Sequence, residues 1–281
     1  MHELVLAWFE ENKRDLPWRN TTPWGVMVSE FMLQQTPVNR VLPVWQNWLE
    51  RWPSPAALAQ AKKSEVIAAW GRLGYPRRAL RLYESAGIIA SKFNNEVPRT
   101  IDELRSLPGV GDYTAAAICA FAFDQPTLVL DINIRRFFAR AIDGVETPTS
   151  APSQLERSLR YQLIPTRSTD GALWAAATME LGALVCTARN PSCEECPVNK
   201  LCAWRKAGYP QSHVVKKSQA WNGTDRQCRG TVVQALRGNS TLSTVALRKL
   251  WHDPAQLEKA LKTLLADGLI ETTGKSYKLA D

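Results

Sequence analysis

The chain has 281 residues, 45% apolar and 22% charged, which is enough apolar mass for a real core and excludes an intrinsically disordered chain. That length suits one large or two modest domains. Lys and Arg number 35 against 27 Asp and Glu, a formal charge of +8 that favours an anionic partner such as nucleic acid without fixing a function. Met1 to Val5 shows neither a basic nor a sustained apolar leader pattern, and the longest uncharged apolar stretch, Tyr113 to Phe123, is too short to span a bilayer. A cytoplasmic protein without membrane contact is expected.

In chain order, helical periodicity dominates from Leu4 to about Val185, so the first two thirds are predicted all-α. Pro53-Ser54-Pro55 opens an Ala-rich helix, and Thr100 followed by Glu103 reads as a capping box before Leu104. Gly71, Gly74, Pro76, Pro98, Pro108, Gly109 and Gly111 mark short links, the pattern of a helical bundle. From Cys186 to Arg229 eight Lys or Arg, including Lys216 and Lys217, face three acids, and Gly208 to Ser212 with Asn222-Gly223 read as linker. Thr231 to Asp281 reads as three helices and a hairpin turning at Gly274, a small winged-helix-like module.

Three features carry chemistry. Cys186-x6-Cys193-x2-Cys196-x5-Cys202 puts four thiols within seventeen residues, close enough to reach one centre; the sulfur count allows zinc or an iron–sulfur cluster. Cys119 and Cys228 read as ordinary small residues. Leu107-Pro108-Gly109-Val110-Gly111 joins two helices and leaves backbone N–H groups open at a helix start, where a DNA phosphate docks without any charged side chain; a plain tight turn is the simpler alternative.

The third feature is a pair of carboxylates. Glu30 lies among apolar neighbours from Val26 to Leu33 and would share a helix face with Gln34; desolvation should raise its pKa and suit it as a general acid. Asp131 follows the run Thr127 to Leu130 at the position of a helix N-cap, and could be only that. Cleavage of a glycosidic bond needs one acid and one ionised carboxylate, with environments that push the two pKa values apart. Arg72, Arg77, Arg78 and Arg81 would meet phosphates or form a solvated basic face. The eleven tryptophans read mostly as core.

The strings Leu16-Pro17-Trp18-Arg19, Ser29 to Thr36, Gly71 to Tyr75, Leu107 to Gly111, Leu130 to Asn133, Met179 to Ala183 and the four cysteines occur in one order. Over residues 4 to 205 this pattern resembles the MutY-type adenine DNA glycosylases of the helix-hairpin-helix superfamily, with Met32-Leu33-Gln34-Gln35-Thr36 its most specific part. The resemblance implies excision of adenine mispaired with 8-oxoguanine or guanine in double-stranded DNA, by a monomer that sits on the nucleoid when bound. It implies a [4Fe–4S] cluster on Cys186, Cys193, Cys196 and Cys202. Glu30 would protonate adenine N7 and Asp131 would stabilise the sugar cation in a cleft between two helical halves, with Asn133 and Tyr113 supporting the site. Trp18, Arg19 and Leu33 would surround the extruded adenine. Gln34, Gln35 and Tyr75 would meet the DNA beside the lesion, with Gly109, Val110 and Gly111 on its backbone.

The implied architecture is an all-α helix-hairpin-helix core: 22–125 as one subdomain, 1–21 with 126–205 as the cluster subdomain, 206–228 as a basic linker and 229–281 as the winged-helix-like module. Tyr113 stands where bifunctional relatives carry a nucleophilic lysine, so a monofunctional enzyme is expected. The family commonly continues into a Nudix-like domain that reads 8-oxoguanine, and 229–281 is shorter and differently patterned. Ala176 replaces an expected polar contact to adenine. The rival readings are a mismatch thymine or uracil glycosylase of the same superfamily and a non-catalytic, metal-bearing DNA-binding protein.

Overall fold

A computed structural model describes residues 1–165, 168–212 and 221–281. The helices are α1 (His2–Asn12), α2 (Pro23–Leu33), α3 (Val38–Arg51), α4 (Pro55–Ala59), α5 (Lys63–Ala69), α6 (Arg77–Lys92), α7 (Ile101–Arg105), α8 (Asp112–Phe123), α9 (Ile132–Ala141), α10 (Gln154–Tyr161) and α11 (Ser168–Leu184). After the cysteine loop come α12 (Ala203–Lys206), α13 (Asp225–Arg237), β1 (Leu242–Ser243), α14 (Thr244–Arg248), α15 (Pro254–Ala266), β2 (Ile270–Thr273) and β3 (Ser276–Leu279). The start signals act as read: Ser54 caps α4, Thr100 caps α7 through the Glu103 N–H, and Asp131 caps α9. Among the described residues no helix is long and apolar enough to cross a membrane.

The chain divides into two compact units. The first comprises Met1–Val26, Arg99–Ser106 and the described part of Val110–Val215. Its core joins Val5 and Phe9 of α1, Ala116 and Ala117 of α8, Ile134, Phe137 and Phe138 of α9, and Trp174 and Leu181 of α11. α8 packs on α7 and α11, which draws the residues from Val110 onward into this unit rather than into the expected 22–125 subdomain.

The second unit comprises Met27–Pro98, Leu107–Gly109 and the described part of Lys216–Asp281. Here the C-terminal residues fold as foreseen, with a hairpin turning at Gly274 (φ +60°) and a short additional strand, β1, giving the antiparallel order β1-β3-β2. The module does not stand alone. Cys228, Val232, Val233 and Leu236 of α13 and Leu257, Leu261 and Leu264 of α15 share one core with Ile67 of α5 and Leu80 of α6. α13 begins at Asp225, with Thr224 accepting from the Gln227 N–H at 3.3 Å, so the expected linker ends before that residue. The part at 213–220, with Lys216 and Lys217, lies outside the described residues.

Candidate active site

Glu30 sits in α2 at 5% exposure, flanked by Met27, Val28, Ser29, Phe31 and Met32 at 1% or less, so the burial expected of this carboxyl is present. Gln34 departs from expectation. α2 ends at Leu33, and Gln34 lies in the following turn rather than on a helix face with Glu30. The cause is Arg78, whose Nη1 donates to the carbonyl oxygens of Phe31 (2.8 Å), Met32 (3.0 Å) and Gln34 (2.6 Å), the orphan acceptors at that helix end. Its Nη2 donates to Thr36 Oγ1 (2.9 Å) and to the carbonyls of Leu73 (3.1 Å) and Gly74 (3.0 Å). Burial pushes Arg78 down to about 10, so it stays charged at neutral pH.

This arginine therefore binds two turns at once, and each carries a candidate DNA-contact residue in the left-handed region: Gln35 at φ +56° and Tyr75 at φ +47°. Such a conformation costs a non-glycine residue about 1–2 kcal/mol and persists only where surrounding bonds enforce it. Arg78 is thus no phosphate ligand, correcting its grouping with Arg72, Arg77 and Arg81, which are exposed. Leu33 and Gln34 are half-buried and Gln35 is exposed. Gly109 (φ +82°) lies where a Cβ would stand 2.9 Å from Phe31 Cε1 and 3.0 Å from Arg81 Cβ, so only glycine brings this turn so close.

In the first unit, Gly111 caps α8 without a side-chain acceptor, Val110 is buried, and Tyr113 is half-buried in the first turn of α8. Asp131 accepts from the Ile134 N–H through Oδ1 (2.6 Å) and from Asn133 Nδ2 through Oδ2 (2.7 Å). Burial pushes its carboxyl above the ordinary aspartate value, while these donors and the Arg136 charge pull it back. The expectation of a pKa displaced downward is therefore corrected: burial outweighs the hydrogen bonds.

The chain of contacts continues inward. Arg136 Nη2 donates to Asn133 Oδ1 (2.9 Å) and to the Gly182 carbonyl (2.5 Å), and its Nε donates to the Cys186 carbonyl (2.7 Å). A Cβ on Gly182 would stand 2.6 Å from the Asn133 carbonyl oxygen, so glycine there permits the close approach of α9 and α11. Asp131 and the cysteine loop are thus joined through two side chains, Asn133 and Arg136.

Trp18 is 8% exposed. Arg19 reaches Glu180 Oε2 at 3.2 Å and lies over the Phe9 ring at 5.0 Å. Glu180, 2% exposed, also takes Arg14 Nε (2.9 Å), Nη2 (2.7 Å) and backbone N–H (2.8 Å). Burial works to raise the Glu180 carboxyl, and the Arg14 and Arg19 interactions outweigh it, holding it below the ordinary glutamate value.

Cys186, Cys193, Cys196 and Cys202 line one cavity with Phe137, Arg140 and Val198, and none of them forms a disulfide. Arg140 Nη1 donates to Cys186 Sγ at 3.6 Å, and burial pushes the Cys196 thiol up to about 11. A cationic centre would favour the thiolate there, and a four-sulfur donor set around a shared space fits an iron–sulfur cluster. Cys119 and Cys228 are buried elsewhere, as expected.

Sequence reasoning missed the parts played by Arg78, Arg136 and Glu180. The Met179 to Ala183 string drew attention to Glu180 without a role, and nothing local distinguishes a buried arginine from a solvated one.

Residues 28–161 match the HhH-GPD superfamily of base excision DNA repair proteins, and residues 186–202 match the iron-sulfur binding domain of endonuclease III. The cofactor of this loop is a [4Fe–4S] cluster. Among solved structures, a thermostable thymine-DNA glycosylase superposes with a TM-score of 0.67 at 27% identity, covering 73% of this chain and 95% of that one. An adenine DNA glycosylase of Mycobacterium tuberculosis is 48% identical over 96% of this chain and 90% of its own length. One from Mycolicibacterium smegmatis is 47% identical over 96% and 92%. Similarity of that depth, running almost end to end, decides the matter: the chain belongs to the adenine DNA glycosylases of the HhH-GPD superfamily.

Proposed function

We propose that this chain, as a monomer, hydrolyses the N-glycosidic bond of adenine mispaired with 8-oxoguanine or guanine in duplex DNA and leaves the strand uncut. The observation that carries the reading is Glu30, a carboxyl buried to 5% exposure in an apolar helix, a setting that suits a general acid. Extrusion of the mispaired adenine exposes its N7, and Glu30 transfers a proton there. The C1′–N9 bond breaks with its electron pair on the base, which leaves neutral. Asp131, positioned by Asn133 and the Ile134 N–H, offsets the positive charge on the sugar until water adds to C1′ and loses a proton.

Tyr113 has no amine with which to form a Schiff base, so the product is an abasic site. In this reading Gln34, Gln35 and Tyr75 meet the DNA beside the vacated position, Gly109, Val110 and Gly111 hold its backbone, and Trp18, Arg19 and Leu33 surround the base. Cys186, Cys193, Cys196 and Cys202 would hold the cluster, which when bound ties residues 186–202 into one rigid loop.

The test is base release from A:8-oxoguanine, A:G and G:T duplexes with borohydride present. Free adenine from the first two, with no trapped protein–DNA adduct, is expected. Thymine release or a covalent adduct in good yield would overturn the assignment.

A further inference from the structure

Nine tryptophans are at most 8% exposed and Trp8 is half-buried, but Trp221 is 50% exposed. It stands at the entrance to α13, and the guanidinium of Arg226, in the first turns of that helix, lies over its ring at 5.0 Å. The same guanidinium donates through Nη1 to the Tyr75 hydroxyl at 3.0 Å. Tyr75 is 45% exposed on a turn whose backbone Arg78 holds in the left-handed region. An exposed aromatic ring, a cation and a second exposed ring therefore follow one another on one face of the second unit.

The arrangement is rigidly supported. α13 shares its core with Ile67 and Leu80, Arg237 Nε donates to the Ile67 carbonyl at 3.1 Å, and Asp267 pairs with both Arg77 (3.4 Å) and Arg229 (2.6 Å). Arg226 thus approaches Tyr75 from an element packed against the segment that bears it. Exposed aromatic rings interleaved with guanidinium groups suit nucleic acid, because every base offers a π-face and every phosphate a charge. Exposed Arg72 beside the Tyr75 turn adds to that complementarity, as does the formal charge of +8.

We propose that Trp221, just before α13, and Arg226, on that helix, complete, with Tyr75, a surface that grips duplex DNA next to the extruded adenine. Arg226 positions the Tyr75 ring and presents its charge to a backbone phosphate, and Trp221 stacks on the nucleic acid. The inference rests on the reading that Tyr75 enters the DNA, and it gives the entrance to α13 a part in damage recognition.

The experiment uses the full-length, cluster-loaded protein with Trp221→Ala, Arg226→Ala, Tyr75→Phe and the Tyr75→Phe/Arg226→Ala pair. Binding is measured by anisotropy, across a salt series, on an A:8-oxoguanine duplex carrying a non-hydrolysable adenosine analogue. Trp221→Ala is expected to weaken binding by about tenfold with an unchanged salt slope. Arg226→Ala should weaken it and lower the slope by about one. Arg226→Ala in the Tyr75→Phe background should cost less than in the parent, because the hydroxyl partner is already gone. Parental affinity and salt slope in both Trp221→Ala and Arg226→Ala would overturn the proposal. Adenine release by the parent, scored in the same preparation, reports separately on the proposed activity.

Discussion

Arg78 donates to the carbonyl oxygen of Gln34 at 2.6 Å, and that bond ties the end of the helix bearing Glu30 to the helix that follows Tyr75. One guanidinium serves five carbonyls and a hydroxyl in the two turns it joins. Lysine offers three donors on a point charge and cannot reproduce that planar fork. Arg78→Lys is expected to cost about 2–3 kcal/mol, because buried carbonyls lose their partners. Denaturant unfolding measures the loss. Single-turnover adenine release should fall as well, since Gln35 and Tyr75 lose the bonds that hold their left-handed backbones; wild-type stability together with a wild-type rate would contradict this role.

Asn133 shapes the pH response of Asp131. Its amide donates to the carboxylate at 2.7 Å and so favours the charged form. Burial already raises this carboxyl above its ordinary value, and removing the donor raises it further. In Asn133→Ala the acidic limb of the single-turnover rate should therefore move to higher pH, with activity lost earlier on acidification. A limb that stays in place, or moves to lower pH, would exclude Asp131 as the group being titrated.

Glu180 couples acid stability to the segment around Arg19. Its folded pKa lies below its unfolded value, so the stability it contributes is present above about pH 4.3, the usual glutamate value. That contribution is lost as pH falls through the depressed folded value. Glu180→Gln should destabilise the protein at pH 7 by about 2 kcal/mol, a figure reduced for the partial exposure of Arg14. The deficit should shrink on acidification. Urea midpoints for parent and variant through the acid range provide the check.

The cysteine loop should depend on its cluster. Burial pushes the Cys196 thiol up to about 11, so without iron it lacks the cationic centre that would favour its thiolate. Cys196→Ser is expected to lose the visible absorbance of the cluster and to raise protease sensitivity near residues 186–202. Because Arg136 links the Cys186 carbonyl to Asn133, adenine release should fall too. Retention of the chromophore at full occupancy would remove Cys196 from the ligand set.

What local sequence determines here is what local physics can determine. Helical periodicity, the caps at Ser54, Thr100 and Asp131, the Gly274 turn and the spacing of four cysteines each depend on residues a few positions apart, and each appears in the structure. The apolar run around Glu30 likewise announces a buried carboxyl. The roles of Arg78, Arg136 and Glu180 were decided only in three dimensions, because their partners lie far away in the chain: Gln34, Cys186 and Arg14. A run of arginines reads as a basic face until folding buries one of them under carbonyl groups that water can no longer reach. Asp131 shows the same limit, since its pKa turns on the balance between desolvation and the donors Asn133 and Ile134, and that balance exists only once neighbouring elements close around the carboxyl.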